Sequence, residues 1–339
     1  MTRREILGAA FAIRLPRKIR AGIIGLDGHV SEITAPLPDL PDVELVSYAS
    51  AQPVKNGPLA KAKHYSSHLD MLDHEKLDVV GVTTDDGARA AAILDCVNRK
   101  INVVAEKPLG RTRAEYDSVK KAVLASKIHL GMMLPLRFAP HFLALRQIVQ
   151  SGEIGEVAQI QGQKSYKAGA SSGWKNHQES YSGTIPWVGI HMLDLMLYTS
   201  GRSFTECASF QSRVGWPEIG VRENTAAVLF RMDNGGAATL TMDYLRPDAA
   251  ESHDDDRLRL AGTKGVAEYQ RSTGVTVITG SSKIRQVPLP PAGSLFKDYL
   301  DAAYNGKPTI LPLAEIWRAN EIAFTARDAA NTGRVVPLG

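Results

Sequence analysis

The stretch Ile101-Asn102-Val103-Val104-Ala105-Glu106-Lys107-Pro108 runs from an apolar segment directly into a charged pair and a proline. Residues 101–105 have the length and composition of a buried strand. In α/β proteins, ligands bind outside the carboxyl ends of such strands. The position of Lys107 therefore favours a functional lysine, and a solvated surface lysine stays open as the alternative.

Four more apolar runs lie around this strand, at residues 19–25, 43–49, 77–83 and 128–134. Between residues 86 and 99, apolar side chains recur at the helical spacing i, i+3, i+4, i+7, which predicts a crossover helix. Its inward residues are Ala90, Ile93, Leu94 and Val97. Strands separated by helices pair in parallel, so residues 18–138 are predicted to form a doubly wound α/β sheet of the Rossmann type.

Two helix starts can be recognised in this half. Thr112 and Glu115 have capping-box spacing, which predicts a helix with Tyr116, Val119 and Val123 on its inner face. In the segment Thr84-Asp85-Asp86, the carboxylates are candidates for a helix N-cap, and Asp86 is the preferred one.

The pattern changes after Pro140. A helix around residues 143–149 is followed from residue 157 by longer strands with hairpin signals, of which Asp233-Asn234-Gly235-Gly236 is the strongest. Further strands are predicted at residues 226–232, 237–245, 257–261, 266–270 and 275–279. A closing helix has an inward side of Leu313, Ile316, Trp317 and Phe324. We therefore predict an α+β domain with a largely antiparallel sheet over residues 139–339.

Composition narrows the class of function. The chain has 339 residues, of which 44% are hydrophobic, so it is longer than one typical domain. Its 40 Lys and Arg against 36 Asp and Glu are too balanced and scattered for a nucleic-acid-binding surface. No apolar run approaches the roughly 20 residues that cross a bilayer. Cys96 and Cys207 stand alone, which predicts buried thiols and no metal site, so we expect a soluble protein with a small-molecule site.

The first residues are treated as a tail, residues 1–17, outside the fold. Thr2-Arg3-Arg4-Glu5-Ile6-Leu7 resembles a twin-arginine export signal, but the small-residue stretch that follows ends quickly at Arg14. We expect a cytoplasmic protein, with export to the periplasm as the alternative.

The first strand ends in Gly25-Leu26-Asp27-Gly28-His29-Val30, where a Rossmann domain holds pyrophosphate. Against G-x-G-x-x-G, only the first glycine is in place. Asp27 would repel a phosphate unless its carboxylate points away, whereas Gly28 could allow close approach in a shifted turn. A tight turn without a ligand is the alternative.

Glu106-Lys107-Pro108 occurs together with three more segments in a recognisable order. These are Arg137-Phe138 leading to Ser151-Gly152-Glu153-Ile154-Gly155-Glu156-Val157, then Gly189-Ile190-His191-Met192-Leu193-Asp194, and last Arg257-Leu258-Arg259-Leu260-Ala261-Gly262-Thr263-Lys264-Gly265-Val266. The combination resembles the Gfo/Idh/MocA oxidoreductases, of the glucose-fructose oxidoreductase and inositol dehydrogenase type. The resemblance covers nearly the whole chain after residue 18.

The resemblance implies a cleft where NAD or NADP meets a carbohydrate-like substrate. Lys107 and His191 match its catalytic positions: His191 as the general base and Lys107 as the stabiliser of the alkoxide. The implied cofactor-binding residues are Gly25, Leu26, Asp27, Gly28, His29, Ser50, Thr84, Glu106 and Lys107. The implied substrate-binding residues are Arg137, Trp187 and Asp194, of which Asp194 would orient His191 or cap its helix. The resemblance also implies a homo-oligomer assembled through the open second sheet.

Several positions depart from the family pattern. Trp187 stands where polyol-oxidising members commonly carry an aspartate, four residues before His191. The end of the second strand, Ala49-Ser50-Ala51-Gln52, lacks the acidic residue that grips the ribose of NAD, and Lys55 could meet the 2'-phosphate of NADP. The run Asp254-Asp255-Asp256 is interpreted as solvated surface or as counter-charges to Arg257 and Arg259, not as a metal site.

The main hypothesis is an NAD(P)-dependent oxidoreductase acting on CH–OH groups of a sugar, a polyol or a related compound. One alternative is an enzyme that uses tightly held NAD for transient oxidation during glycoside cleavage or epimerisation. The other is a catalytically silent carbohydrate-binding protein on the same fold, which Asp27 and the missing aspartate favour.

Overall fold

The computed structural model describes residues 13–169, 173–215 and 219–339. Its first sheet consists of six parallel strands in the order β3-β2-β1-β4-β5-β6. The strands are β1 (Ile19–Ile24), β2 (Val43–Ala49), β3 (Lys63–Tyr65), β4 (Val79–Val82), β5 (Asn102–Ala105) and β6 (Leu130–Met132). This order confirms the predicted doubly wound sheet.

Four helices follow strands of this sheet: α1 (Val30–Thr34), α2 (His68–His74), α3 (Asp86–Asn98) and α4 (Arg113–Ala125). The Thr112 capping box is present in both directions. The N-cap of α3 is Asp85, which accepts hydrogen bonds from the amides of Gly87 and Ala88, so the preference for Asp86 was wrong. Asp86 is instead fully buried, because its carboxylate pairs with Arg89 one turn later.

The second sheet has nine strands in the order β14-β13-β12-β11-β7-β10-β9-β8-β15. They are β7 (Val157–Ser165), β8 (Phe204–Ser212), β9 (Thr225–Met232), β10 (Ala237–Asp243), β11 (Arg257–Gly262), β12 (Gly265–Gln270), β13 (Gly274–Thr279), β14 (Ser282–Gln286) and β15 (Val336–Pro337). All neighbours pair antiparallel except β7 and β10, which are parallel. The largely antiparallel sheet is therefore confirmed.

Helices α5 (Pro140–Gln150), α6 (Ile190–Ser200) and α8 (Leu313–Thr332) pack on elements of the second sheet. A π-helical segment, Ile185–Gly189, leads into α6, and 3-10 turns occur at Leu37–Asp39, Pro58–Lys61, Pro135–Phe138 and Trp174–Asn176. None of the described helices is both long enough and apolar enough to span a bilayer.

Helix α7 (Leu295–Asn305) returns to the first sheet, although it lies late in the chain. Its apolar side joins Ile19, Ile23 and Val104 in one core cluster. A Cβ atom on Gly131 would lie 2.6 Å from the ring of Tyr299, so the glycine allows the helix to approach β6 closely. Although α7 lies within the predicted second domain, residues 139–339, it therefore packs on the first sheet.

The described part of the predicted tail also belongs to the fold. Leu15 is buried, and its amide donates to the carboxylate of Asp42 at 3.2 Å. Arg17 forms an ion pair with Asp78 at 2.7 Å. The arginine pair of the possible export signal lies outside the described residues.

Candidate active site

The turn after β1 lies beside the end of β4, where the strand order of the first sheet reverses. Gly25 adopts a φ of +78°, and a Cβ atom there would lie 2.6 Å from the backbone of Thr84. Only glycine fits both the conformation and the space. The hydroxyl of Thr84 is buried and has no hydrogen-bond partner among the described residues. The two strand ends thus form the crevice in which doubly wound sheets bind ligands.

Glu106 holds this turn against the loop after β5. Its carboxylate, fully buried, accepts hydrogen bonds from the backbone amide and from Nδ1 of His29, the latter at 2.5 Å. Burial would raise the pKa of Glu106, but the charge and hydrogen bonds of His29 outweigh it and lower this pKa to about 2. A Cβ atom on Gly28 would collide with the Glu106 carboxylate at 2.3 Å. Glu106 therefore orders the turn, and its direct contact with a cofactor stays a prediction.

Lys107 is 2% exposed and has an amine without a carboxylate partner among the described residues. Its Nζ donates to the backbone carbonyl of Trp187 at 2.8 Å and lies 3.2 Å from the centre of the Trp187 ring. Burial lowers the pKa of Lys107 to about 7, because the carboxylates of Glu106 and Asp86 offset only part of the desolvation. The lysine therefore changes its charge near neutral pH.

His191 is the second residue of α6 and is 4% exposed. Its ring lies edge-on to the ring of His29, with 5.4 Å between the centroids. Burial, followed by the positive charges of Lys107 and Lys164, lowers the pKa of His191 well below its ordinary value. Nδ1 of His191 is buried and has no partner within the described parts of the chain. A neutral imidazole with a free nitrogen thus lies in the same buried region as Lys107.

Trp187 packs beside Lys107 together with a second tryptophan, Trp174. Its ring contacts Trp174 edge-on at 4.9 Å. The guanidinium of Arg89 and the amine of Lys175 lie 5.6 Å and 5.2 Å from the Trp187 ring centre. Sequence reasoning missed Trp174 and Lys175, which carry no motif. Stacking of Trp187 on a substrate stays a prediction.

Asp86 and Arg89 form a buried hydrogen-bond network next to Lys107. Fully buried, Arg89 donates to the carbonyls of Thr84, Lys107 and Pro108 at 2.6 to 3.1 Å, and to Asp86 at 2.7 Å. The other oxygen of Asp86 accepts from the amide of Ser182 at 2.9 Å. The sequence interpretation gave Arg89 no role, although its i, i+3 spacing from Asp86 was the available signal.

Arg137 and Asp194, two predicted substrate contacts, form a buried two-pronged ion pair. The guanidinium donates to both carboxylate oxygens at 2.8 and 2.5 Å, and each side chain is 1% exposed. Asp194 therefore pairs with Arg137. Contrary to the expectation from sequence, it does not orient His191. This contact connects α6 to the turn at Pro135–Phe138, and substrate binding by either residue stays a prediction that the pairing does not favour.

The remaining cofactor candidates lie nearer the surface. Partial burial, followed by the charge of Asp85, raises the pKa of Asp27. The Ser50 hydroxyl donates to the carbonyl of Gln52 at 2.7 Å, and Lys55 is exposed nearby in sequence. The left-handed glycine turn and the Thr84 hydroxyl, unpartnered among the described residues, fit a dinucleotide, and Asp27 is the one carboxylate among these candidates near the surface.

The acidic run before β11 differs from its interpretation as solvated surface. Asp256 is 3% exposed and pairs with buried Lys164 at 2.6 Å. Asp255 does pair with Arg257, at 2.8 Å, and Asp254 pairs with Arg271. The correction has a simple cause: residue 256 faces the core side of the sheet, where an unpaired carboxylate would be costly.

Comparison with known proteins agrees with this architecture. Residues 19–131 match the family model described as "Oxidoreductase family, NAD-binding Rossmann fold", and residues 142–268 match the "GFO/IDH/MocA C-terminal domain". The structure of a putative oxidoreductase from Thermotoga maritima is 30% identical, has a TM-score of 0.87, and matches 94% of this chain and 100% of that chain. The chain belongs to the Gfo/Idh/MocA family. It is a member with an NAD(P)-binding Rossmann domain.

Two other similar proteins have names that state an activity. Trans-1,2-dihydrobenzene-1,2-diol dehydrogenase of Mus musculus is 23% identical over 94% of this chain and 92% of its own length. Levoglucosan dehydrogenase, solved in complex with NADH and L-sorbose, has a TM-score of 0.80 at 17% identity, over 95% of this chain and 99% of that chain. The second likeness shows the fold alone.

Proposed function

We propose that this Gfo/Idh/MocA protein transfers a hydride between NAD(P) and a CH–OH group of a sugar, a polyol or a related cyclic compound. The observation that carries the proposal is the pair Lys107 and His191. Both are almost completely buried at the carboxyl ends of the Rossmann strands, and both have lowered pKa values. Burial thus keeps neutral, proton-accepting groups at the place where a substrate hydroxyl must lose its proton.

Bound NAD(P) supplies the hydride acceptor. The protein must then remove the hydroxyl proton, and a base is most effective when its pKa is close to the working pH. Lys107, with a pKa of about 7, meets this condition better than His191, whose pKa is well below its ordinary value. We therefore assign proton removal to Lys107 and a hydrogen bond to the same oxygen to His191, the reverse of the roles expected from sequence.

The cofactor is held by the crevice at the reversal of strand order. Gly25 to His29 approach its phosphates, and the Thr84 hydroxyl gains the partner that it lacks among the described residues. Ser50 and Lys55, after β2, would hold the ribose end of the cofactor, and the absence of an acidic residue there leaves NADP as acceptable as NAD.

The substrate ring would lie against the partly exposed indole of Trp174, which contacts Trp187 edge-on. The carbohydrate-like class is supported by the levoglucosan dehydrogenase complex with L-sorbose and by the cyclic diol in the name of the mouse relative. Arg137 and Asp194 contribute by holding α6 in place.

The test is absorbance of NADH or NADPH with a panel of sugars, inositols and cyclic diols, using the wild type and His191→Asn. We expect kcat to fall by about 10²- to 10³-fold in His191→Asn, because a hydrogen bond to the reacting oxygen is lost, and to stay unchanged in the control His177→Asn, which alters an exposed histidine. Product formation without net absorbance change would support transient oxidation instead. Binding of both ligands without turnover would support the silent binding protein.

We also propose a homo-oligomer formed through the open face of the second sheet. Phe210 on β8 and Leu229 on β9 are 74% and 53% exposed and lie on neighbouring strands. Replacing both with Asp should yield monomers in sedimentation or light scattering while the circular dichroism spectrum stays unchanged. An unchanged mass would overturn this assignment.

A further inference from the structure

A cavity of about 590 Å³ is lined in part by Ser182, whose amide donates to Asp86 next to the candidate active site. It is bounded by the start of α4, the loop before the π-helical segment, the end of β8 and the last turns of α8. Its volume is in the range of small-molecule sites. Neither of the two proposed catalytic residues lines it, and nothing in the proposed dehydrogenase chemistry uses it.

Three guanidinium groups line this cavity, those of Arg111, Arg213 and Arg327, against the single carboxylate of Glu223. Glu223 is already engaged, since it accepts a hydrogen bond from the amide of Thr184 at 2.9 Å. Arg213 donates to the carbonyl of Gly220 and forms no ion pair with any residue in the described ranges. The lining is therefore cationic.

The two other arginines have only loose ionic contacts. Arg111 lies 3.5 Å from Glu115 and Arg327 lies 3.4 Å from Asp328, both longer than a usual charge-assisted hydrogen bond. Neither of these carboxylates lines the cavity. Nη1 of Arg327 donates to the carbonyls of Arg111 and Ser182, and Nη1 of Arg111 donates to that of Gln178, so the remaining N–H groups are the donors left for an anion.

Three polar atoms in the cavity lining are buried and lack a partner among the described residues. They are the hydroxyl of Ser182, Nε of Arg111 and the side-chain carbonyl of Gln211. Ser182 is only 3% exposed, so bulk water does not satisfy its hydroxyl. A buried unpaired polar group costs about 1 to 3 kcal/mol, and a native protein that keeps several at one place usually has a partner for them.

We propose that this cavity binds a phosphate monoester of a small polar molecule. Guanidinium forks match the geometry and charge of a phosphate, and the Ser182 hydroxyl supplies a further donor. The carbonyl of Gln211 accepts a hydrogen bond from a hydroxyl elsewhere on the ligand. Because the cavity is much larger than one phosphate ion, the organic part of the ligand fills the remainder.

The experiment is calorimetric titration of the full chain with a hexose 6-phosphate, with inorganic phosphate and with the free hexose, at matched ionic strength in chloride. We expect the hexose 6-phosphate to bind, the free hexose not to bind at this site, and saturating NAD not to displace the ligand. Inorganic phosphate binding as tightly as the ester would identify free phosphate as the ligand and overturn the ester. No binding of either phosphate, or displacement by NAD, would overturn the cavity as a phosphate site.

Single substitutions test which residues bind the phosphate ester. Arg213→Ala should weaken binding about tenfold or more, and Ser182→Ala should weaken it several-fold while the unfolding midpoint stays equal or rises, because an unpaired hydroxyl is removed. The control Arg285→Ala changes an arginine on β14, at the opposite end of the second sheet, and should leave binding unchanged. Equal affinity in all three variants, with unfolding midpoints like the wild type, would overturn the assignment.

Discussion

Two lysines of this protein are almost fully buried, yet their surroundings give them opposite properties. Nζ of Lys164, on β7, lies 2.6 Å from the carboxylate of Asp256 and 4.9 Å from the ring centre of Tyr166. Among the described residues, the polar contacts of Nζ of Lys107 are a backbone carbonyl and an indole ring. Burial lowers the pKa of both. Tyr166 and Asp256 reverse this at Lys164 and raise its pKa, whereas the pKa of Lys107 falls to about 7.

The comparison indicates that burial alone does not decide whether the pKa of a lysine falls. A buried lysine that is paired with its own carboxylate keeps its charge and contributes to the fold. A buried lysine without such a partner gives up its proton near neutral pH and becomes available as a base. The same residue type therefore forms a structural ion pair in one domain, whereas at the boundary of the other it has the pKa that the proposed base needs.

The largest expected effect comes from Lys107→Met. Removal of the proposed base should lower kcat by about 10²- to 10⁴-fold. The free energy of unfolding should stay equal or rise, since a desolvated amine is replaced by a thioether of similar length. Steady-state kinetics and urea unfolding measure the two effects, and normal kcat in a folded variant would contradict the assignment of the base.

Lys164→Met should show the opposite profile. It leaves the carboxylate of Asp256 buried without its partner, which should lower the free energy of unfolding by about 3 to 5 kcal/mol. The double variant with Asp256→Leu removes both charges and should recover most of that loss. If the double variant is no more stable than the single one, the pair is not the cause.

The pH dependence of the free energy of unfolding should distinguish Lys107 from Lys164. The unfolded chain holds the Lys107 proton up to its ordinary pKa of 10.5, while the folded chain loses it near 7. Between these values the unfolded state binds more protons, so this group makes the free energy of unfolding rise with pH. Lys107→Met should remove that rise in urea titrations from pH 7 to 10, and an identical slope in the variant would contradict the lowered pKa.

The smallest effect is expected for Tyr166→Phe. The Tyr166 hydroxyl, on a ring whose centre lies 4.9 Å from Nζ of Lys164, contributes to the raised pKa of the lysine. Its loss should cost about 0.5 to 1.5 kcal/mol of unfolding free energy, because the pair with Asp256 remains. A loss as large as that in Lys164→Met would mean that Tyr166, rather than Asp256, is the main partner.

Sequence patterns identified one of these lysines and not the other. Lys107 follows an apolar strand directly, which is a recognisable position. Lys164 lies at an inward register position of β7, two residues after Gly162, but a single lysine among Gln161, Gln163 and Ser165 looks like solvent-facing strand. Its partner Asp256 was interpreted as surface for the same reason, since the pairing depends on two strands that are distant in sequence.

The apolar strands of the first sheet were predicted within about two residues at each end, because buried parallel strands are continuous apolar runs. The sequence interpretation missed the short strands β3 and β15, the exposed strand β14, and also β8, which has nine residues. The capping box at Thr112 was predicted because its signal is local. The N-cap of α3 was assigned one residue late, since only the tertiary contact of Asp86 with Arg89 distinguishes the two aspartates.

The return of α7 to the first sheet has a consequence for the order of events during synthesis. Residues 295–305 cover one face of a sheet whose strands all lie before residue 133. Until that helix has left the ribosome, Ile19, Ile23 and Val104 lack part of their apolar neighbours. The nascent first half therefore has an exposed apolar face for most of translation, and a fragment that ends near residue 138 should need a chaperone or should aggregate.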